Sequence, residues 1–422
     1  MPARGPQGKR RSPGLGWGAR RAIAAAGGAL LIWAGFAALR EAWAERLFAS
    51  GRPDGMHRAA ELVPRQAQFQ LGLAELAERA GEDSVPFLRQ AALLSPADAS
   101  IRIHLGLREE LAGRISEAEA QLIEAARLSR KYLPRWTLAN FYFRQGRPEP
   151  FWDWARQALA VSYGDRTPLF ELCWRLKPDP GFLLERAIPS RRAVLSDFAW
   201  FLLDRGAPEA ASPLLADLAR TAEPGDRERL LAATDRLLEA GAERAAAELW
   251  NGLCRRGLLP YPPLDEPGGS MITNGDFAVW TTGRGFDWKV SGAEGVFVAP
   301  TRRSGWRIGL SGRQPERCEL LRQTLLVEAG RRYRIECRYR AEFKGLAAGA
   351  PAGLRWRLRS AGGGLLAESG RLRADGDREV LEFQAERDGA ALLTLDFERM
   401  PGSVRPEGFV ELTGVRAEPT GP

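Results

Sequence analysis

Histidine is almost missing from this 422-residue chain; the two are His57 and His104. That leaves little room for histidine-based metal or acid–base sites. Cysteine is nearly as scarce. Cys173, Cys254, Cys318 and Cys337 show no CxxC spacing, which argues against zinc. Four cysteines in a chain this long do not make a disulfide scaffold either, although Cys318 and Cys337 are the one pair that could bridge within the C-terminal region in an oxidising compartment. No catalytic motif stands out, and no metal or cofactor is expected. The net charge is +8, carried mostly by dispersed arginine with no nucleic-acid motif, so nucleic acid is not an expected partner. What remains, 45% hydrophobic and 27% charged residues, is the composition of folded protein, and the length allows roughly two to three domains of about 100–200 residues.

Charge of one sign is absent at the start. Residues 1–21 hold Arg4, Lys9, Arg10, Arg11, Arg20 and Arg21 and no acid. Residues 22–39, AIAAAGGALLIWAGFAAL, then carry no charge at all. As a helix this run spans about 27 Å, the short end of what a bilayer core needs. The basic flank predicts a cytoplasmic N-terminus with everything after Leu39 outside. The expectation is therefore a signal anchor in the inner membrane, with a single pass and the bulk of the chain periplasmic. Two alternatives remain: a signal peptide cleaved after Ala42-Trp43-Ala44, and a buried helix of a soluble protein. Arg40, Glu41, Glu45 and Arg46 interleave with Ala42, Trp43, Leu47 and Phe48 at helical spacing. Residues 41–49 therefore read as the first helix of the next region, continuous with the apolar one.

That region repeats. Leu71-Gly72 and Leu105-Gly106 lie 34 residues apart, and a further step reaches Ala139-Asn140, four residues after Trp136. Gly113 precedes Ala118 by five, as Gly206 precedes Ala211 and Gly241 precedes Ala246. Leu88 and Ala91 lead to Pro96; Ala59 leads to Pro64. Small residues at fixed positions let helices cross closely while large apolar ones fill the gaps. This pattern resembles the tetratricopeptide repeat, whose unit is two antiparallel helices. The resemblance is specific over residues 65–164 and looser beyond, and implies about five to six units within 41–258. Residues 165–188 are irregular, because Pro168, Pro178, Pro180 and Pro189 restrict helices to short pieces. By analogy with the family, a groove for partner proteins would be lined by Phe69, Leu73 and Leu76, by Ile103, Leu107 and Glu110, and by Thr137, Phe141 and Arg144; the apolar ones read equally as packing between units. The cluster from Trp136 to Phe143 with Phe151, Trp152 and Trp154 reads as core, or else as a partner site or an inter-domain contact.

Residues 259–270, LPYPPLDEPGGS, cannot continue a helix and mark a linker. Beyond it the apolar period changes to two. Strand-like runs fall at 296–298, 306–310, 333–339, 354–358, 380–383, 392–397 and 409–412, which predicts an antiparallel sandwich or jelly roll over 271–419. Asn274-Gly275-Asp276-Phe277 with Trp288, then Ser304-Gly305-Trp306 to Leu310, then Gln323 to Tyr333 through Val327 and Gly330, resemble the jelly-roll carbohydrate-binding modules related to the galactose-binding fold. The resemblance implies a first strand at 274–277 and core roles for Trp288 and Trp306. Ala278 and Thr413 stand where that family carries the acids of a structural calcium, so calcium is not expected. Sugar recognition needs aromatic faces and a few polar groups. The candidates are Trp280, Tyr339 and Trp356 with Arg355 and Arg357; with Arg359, the two arginines share one strand face that also reads as simply solvated.

The sequence therefore predicts an α-helical tetratricopeptide-like solenoid followed by an antiparallel β jelly-roll sandwich on a membrane anchor. The expected role is a non-enzymatic scaffold that binds envelope proteins through the helices and, through the jelly roll, a polysaccharide, in envelope polysaccharide synthesis or export. One alternative is a glycan-active enzyme or accessory subunit using carboxylates among Asp276, Asp287, Asp396 and Glu398. Another is a jelly roll that is purely structural.

Overall fold

The structure is a computed structural model that describes residues 17–266, 271–302, 305–344 and 350–420, without the side chains of residues 19 and 20. Residues 1–16 of the expected basic N-terminus, 267–270 of the expected linker, and Ser304 lie outside the described residues. The chain forms two compact units that divide between Ser162 and Tyr163.

The first unit is helical: α1 (Trp17–Ala49), α2 (Pro53–Leu62), α3 (Ala67–Ala80), α4 (Val85–Leu94), α5 (Ala99–Leu111), α6 (Ile115–Leu128), α7 (Tyr132–Arg144) and α8 (Pro148–Val161). Loops of a few residues make sequence neighbours pack in antiparallel pairs, α1 on α2 through α7 on α8. Gly81, Gly113 and Gly146 close first helices with φ between +64° and +76°, a conformation that costs glycine little. The 34-residue period has a packing cause. A β-carbon on Gly72 would lie 2.4 Å from the Phe48 ring, and one on Gly106 would lie 2.8 Å from Leu122. Asn140, at the next step, instead donates to the Trp136 carbonyl at 2.9 Å.

Helix α1 is unbroken for 33 residues, about 50 Å. Its C-terminal third belongs to the array. Ala44 is fully buried, and Phe48 stacks on Phe69 with centroids 4.8 Å apart. The preceding apolar stretch is not buried, and Leu30, Leu31, Ile32, Trp33, Phe36 and Leu39 are all exposed. This disagrees with the buried-helix reading. Among the described residues α1 is the one helix long and apolar enough to cross a membrane.

The second unit begins with the short helices α9 (Thr167–Leu176) and α10 (Pro180–Arg186), each opening on a proline in its first turn. Two pairs follow, α11 (Arg192–Asp204) with α12 (Pro208–Arg220) and α13 (Arg227–Glu239) with α14 (Glu243–Arg255). The strands are β1 (Lys289–Val290), β2 (Val296–Pro300), β3 (Trp306–Ser311), β4 (Arg317–Val327), β5 (Arg332–Lys344), β6 (Pro351–Ser360), β7 (Leu365–Arg373), β8 (Arg378–Gln384), β9 (Gly389–Glu398) and β10 (Glu407–Pro419). They form two five-stranded antiparallel sheets, ordered β1-β4-β9-β6-β7 and β2-β3-β10-β5-β8, the jelly-roll sandwich. Alternate residues enter one core: Trp306, Ile308 and Leu310 from β3, Leu354, Trp356 and Leu358 from β6, Leu393, Leu395 and Phe397 from β9.

One expectation is corrected here, and the open question of a Cys318–Cys337 bridge is answered. Residues 274–277 are a turn, not a first strand; Asn274 and Phe277 have φ of 51° and 52°, which places the Phe277 ring in the core against Trp288 and Trp306. All four cysteines are free: Cys318 stands on β4 in one sheet and the buried Cys337 on β5 in the other.

The last helix pair and the sandwich join through specific contacts. Trp250 of α14 stacks on Tyr261 and meets Phe286 edge-on, both at 5.9 Å. Asp235 of α13 accepts from the Gly285 amide at 2.9 Å and pairs with Lys289 at 2.9 Å and Arg284 at 3.2 Å. Arg244 reaches Asp388 at 2.7 Å. Asn251 accepts from the Leu264 amide at 2.7 Å and so ties down the proline-rich segment.

Candidate functional site

Three places carry the residues to consider: the first-helix faces of each unit and the aromatic loop of the sandwich. In the first unit α3, α5 and α7 supply the expected groove. Phe69, Leu73, Ile103, Thr137 and Phe141 are buried. The Thr137 hydroxyl donates to the Leu133 carbonyl, and Phe141 meets Tyr142 at 5.2 Å. Leu76 and Leu107 are half-buried. Glu110 and Arg144 reach the surface but bind each other, through contacts of 2.9 and 2.6 Å. Five of the nine groove residues thus pack between helices, because a first helix of only three to four turns spends most of its apolar face on its neighbours. Trp152 and Phe151 are likewise core.

The polar residues on these helices form rungs from one first helix to the next. Glu78 of α3 takes Arg108 and His104 of α5, and Glu110 of α5 takes Arg144 of α7. Burial pushes the Glu78 carboxyl up, but hydrogen bonds from Arg108 and Ser84 and the neighbouring His104 bring it below the usual range. Glu109 is buried and held by Arg89 at 2.7 Å and by Arg114.

In the second unit the same helix faces open into a cleft of about 540 Å³ beside α9, α11 and α13. Its wall combines the half-buried Trp200 and the Phe201 edge with Arg166, Arg205, Arg229, Asp197 and Glu171. Asp197 pairs with both Arg166 and Arg229, the latter at 2.7 Å, and Arg229 also lies 5.9 Å from the centre of the Trp200 ring. Glu171 pairs with Arg205. The arrangement offers an aromatic face framed by both signs of charge, in a volume of the size that encloses a small ligand or a few peptide side chains. Sequence reasoning passed over it. Its residues come from three helices at steps of 31–34 that carry no shared motif, and the prolines drew attention to irregularity instead.

In the sandwich, Trp280 is 50% exposed, with its ring 5.0 Å from that of Trp306. Its loop is fixed by Asp287, a fully buried carboxylate that accepts from the Tyr261 hydroxyl at 2.7 Å, from the Thr282 amide and hydroxyl, and from the Trp288 amide. Desolvation and the adjacent Asp287 charge push the Tyr261 hydroxyl far up, so it stays a donor. Trp356 and Tyr339 are corrections. Both are enclosed in the core with at most 1% exposure, because they share their strand faces with leucine, isoleucine and cysteine. Neither has a ring face left for a sugar.

Arg355 and Arg357 sit on the outer face of the first sheet, already neutralised. Arg355 binds Glu368 at 2.8 Å; Arg357 binds Glu398 at 2.9 Å and Asp396 at 3.1 Å; Arg359 shares Asp396 at 3.1 Å. Hydrogen bonds from Arg357 hold Glu398 below the usual carboxylate range, against a small burial effect. Glu319, opposite Asp396 on β4, is instead raised, by burial first. Three of the carboxylates considered for glycoside chemistry are therefore committed, Asp287 to four internal donors and Asp396 and Glu398 to arginines, while Asp276 is exposed and accepts from the Ala278 amide at 3.2 Å. Among the described residues no group of three or more metal-ligating side chains comes together.

No protein-family model matches the chain, and no curated protein matches it. Solved structures do. YrrB, described as a TPR protein with an unusual peptide-binding site, is 14% identical over 50% of this chain and 94% of its own, at a TM-score of 0.24. PilF of Pseudomonas aeruginosa is 15% identical over 53% of this chain and 90% of its own, at 0.26. A carbohydrate-binding module described as CBM4 is 12% identical over 35% of this chain and 99% of its own, at 0.27. At TM-scores below 0.3 these likenesses assign nothing further.

Proposed function

We propose that the protein is a non-enzymatic scaffold, anchored by α1 in the inner membrane with the rest of the chain extracytoplasmic, that gathers partner proteins on its helices and contacts a glycan through its sandwich. The setting that fits both activities is envelope polysaccharide synthesis or export. The observation that carries the reading is the cleft beside α9, α11 and α13, where Trp200 stands among alternating charges that no core requires. A linear peptide would lay an apolar side chain on Trp200 while its own charges exchange with the Asp197–Arg229 and Glu171–Arg205 pairs; such exposed pairs are worth only about 0–1 kcal/mol, so a ligand can replace them at small cost. Tethering partners to one anchor would raise their local concentration without any chemical step. The engagement of Asp287, Asp396 and Glu398 by internal donors supports the non-enzymatic reading over the glycosidase one.

Two measurements test this reading. A reporter fused after Pro422 should be active only outside the cytoplasm; a cytoplasmic signal sinks the anchor orientation. Crosslinking in native membranes should give a discrete protein adduct that Trp200→Ala with Arg229→Glu removes, and an adduct indifferent to both changes places the partner elsewhere.

A further inference from the structure

The helical array of the first unit has two edges, and they differ. Neighbouring helices run antiparallel, so the loops alternate: 50–52, 81–84, 112–114 and 145–147 lie at one edge, and 63–66, 95–98 and 129–131 at the other. Helix α1 fixes which edge adjoins the apolar stretch. A β-carbon on Gly55 of α2 would lie 2.8 Å from the Leu47 carbonyl of α1, which sets the register of the two helices. Seven residues further along α2, about 10 Å, is Leu62; seven back along α1 is Arg40, the first charge after the apolar run. The 63–66 loop therefore comes level with the end of the apolar stretch, and the edge it belongs to continues from there. Trp43, 56% exposed, stands just beyond Arg40, a place that suits an interfacial ring.

This edge is both apolar and basic. Five large apolar side chains are exposed between residues 50 and 162, and four are here: Leu93, Leu128 and Val161 close α4, α6 and α8, and Leu133 opens α7. The fifth, Leu111, ends α5 at the opposite edge. The charges divide in the same sense. Arg65, Arg130 and Lys131 are exposed and have no acidic partner among the described residues. Arg135 donates to the Lys131 carbonyl at 2.9 Å, and burial first, then the Arg130 charge, push its guanidinium down. The one acid in the three loops, Asp98, accepts from the Ser100 amide at 2.8 Å, and the sequence has no acid between Glu124 and Glu149. At the opposite edge Arg114 and Arg147 are tied to Glu109 and Glu119, and Glu82 and Asp83 are exposed.

We propose that the edge formed by loops 63–66, 95–98 and 129–131 docks on the surface of the membrane that α1 crosses, with Leu128 and Leu133 among anionic phospholipid headgroups and Arg130, Lys131 and Arg135 on their phosphates. The proposal rests on the anchor reading of α1 and deepens it. Apolar side chains beside unpaired bases suit this surface: the leucines leave water, and each base meets an anion without first giving up an internal pair. Two contacts then hold the array along the membrane, where one helix alone would let it swing.

The test uses the full chain in nanodiscs of phosphatidylcholine, with or without an equal share of phosphatidylglycerol, and a photoreactive phenylalanine at position 33, 112 or 133. Expected from the mixed discs are lipid adducts at positions 33 and 133, and at least about fivefold less at 112, on the opposite edge. The adduct at 133 should fall at least about threefold in pure phosphatidylcholine, and as much with Arg130→Glu plus Lys131→Glu, while the adduct at 33 stays. Both bases are exposed and unpaired, so the double variant should keep its Tm. An adduct at 133 no stronger than that at 112, beside a normal one at 33, overturns the docking and leaves the anchor standing. An adduct at 133 that ignores both lipid charge and charge reversal overturns the headgroup assignment. No lipid adduct at 33 overturns the anchor and the docking together. A protein adduct at 133 in place of lipid, in native membranes, gives the edge to a protein partner and overturns the proposal.

Discussion

The helical array and the sandwich use glycine in opposite ways. In the array, Gly72 and Gly106 are squeezed; added β-carbons would lie 2.4 and 2.8 Å from Phe48 and Leu122. In the sandwich, a β-carbon on Gly309 would sit in ordinary contact, with nothing nearer than 3.9 Å. The first kind of glycine is required by packing and repeats with the helices. The second is not imposed by packing, because a side chain there meets its neighbours at ordinary distance. Aromatic residues divide in the same way. Phe141, Phe151 and Trp356 vanish into cores, while Trp200, Trp280 and Phe297 keep a face in solvent. A small or aromatic residue becomes informative about function only when the fold has no structural use for it.

Substitutions can break this comparison, and the largest effect should come from the core. Trp356→Ala should destabilise the sandwich by about 3–5 kcal/mol in denaturant unfolding, as expected for a large ring removed from a closed core. A loss under 1 kcal/mol would mean that Trp356 is not enclosed. Next, Gly72→Val should cost about 1–3 kcal/mol through overpacking against Phe48 and Met56, read as a lower Tm of the helical region. The same change at Gly309 should cost nothing or stabilise by up to about 1 kcal/mol. Equal losses at the two sites would erase the contrast between squeezed and open glycine.

Acid sharpens the comparison more gently. Glu78 in the array and Glu368 and Glu398 in the sandwich are held below their usual range by arginine partners. Lowered carboxylates contribute stability that is present above the unfolded value near 4.5 and fades as pH falls through the folded values. Glu319 and Glu379, raised by burial, work the other way and are relieved by protonation. The expected result is a Tm that holds from pH 7 to about 5 and falls below 4.5, with Arg357→Gln flattening the sandwich part of the fall. A Tm that rises on acidification to pH 4 would mean that the raised carboxylates dominate.

The fold was largely legible in the sequence. The 34-residue spacing reports helix crossings that need small residues, and period-two runs at 306–310, 354–358 and 392–397 became β3, β6 and β9. Strand β7, LLAESGRLR, escaped notice because it is polar and lies at a sheet edge with an irregular register. The sites were less legible. Trp356 alternates with Leu354 and Leu358, a signal of burial present in the sequence but outweighed by the appeal of an aromatic near arginines. The α9–α11–α13 cleft depends on side chains brought together from three helices.

On the proposed reading, the helices gather a partner on the face that carries Trp200. The most direct measurement is site-specific photocrosslinking in native membranes, with the reactive residue at Trp200 in one chain and at the exposed Arg220 of α12 in another. The account predicts one strong protein adduct from position 200, lost with Arg229→Glu, and none of that mass from position 220. Equal adducts from both positions, or none from position 200, would contradict it.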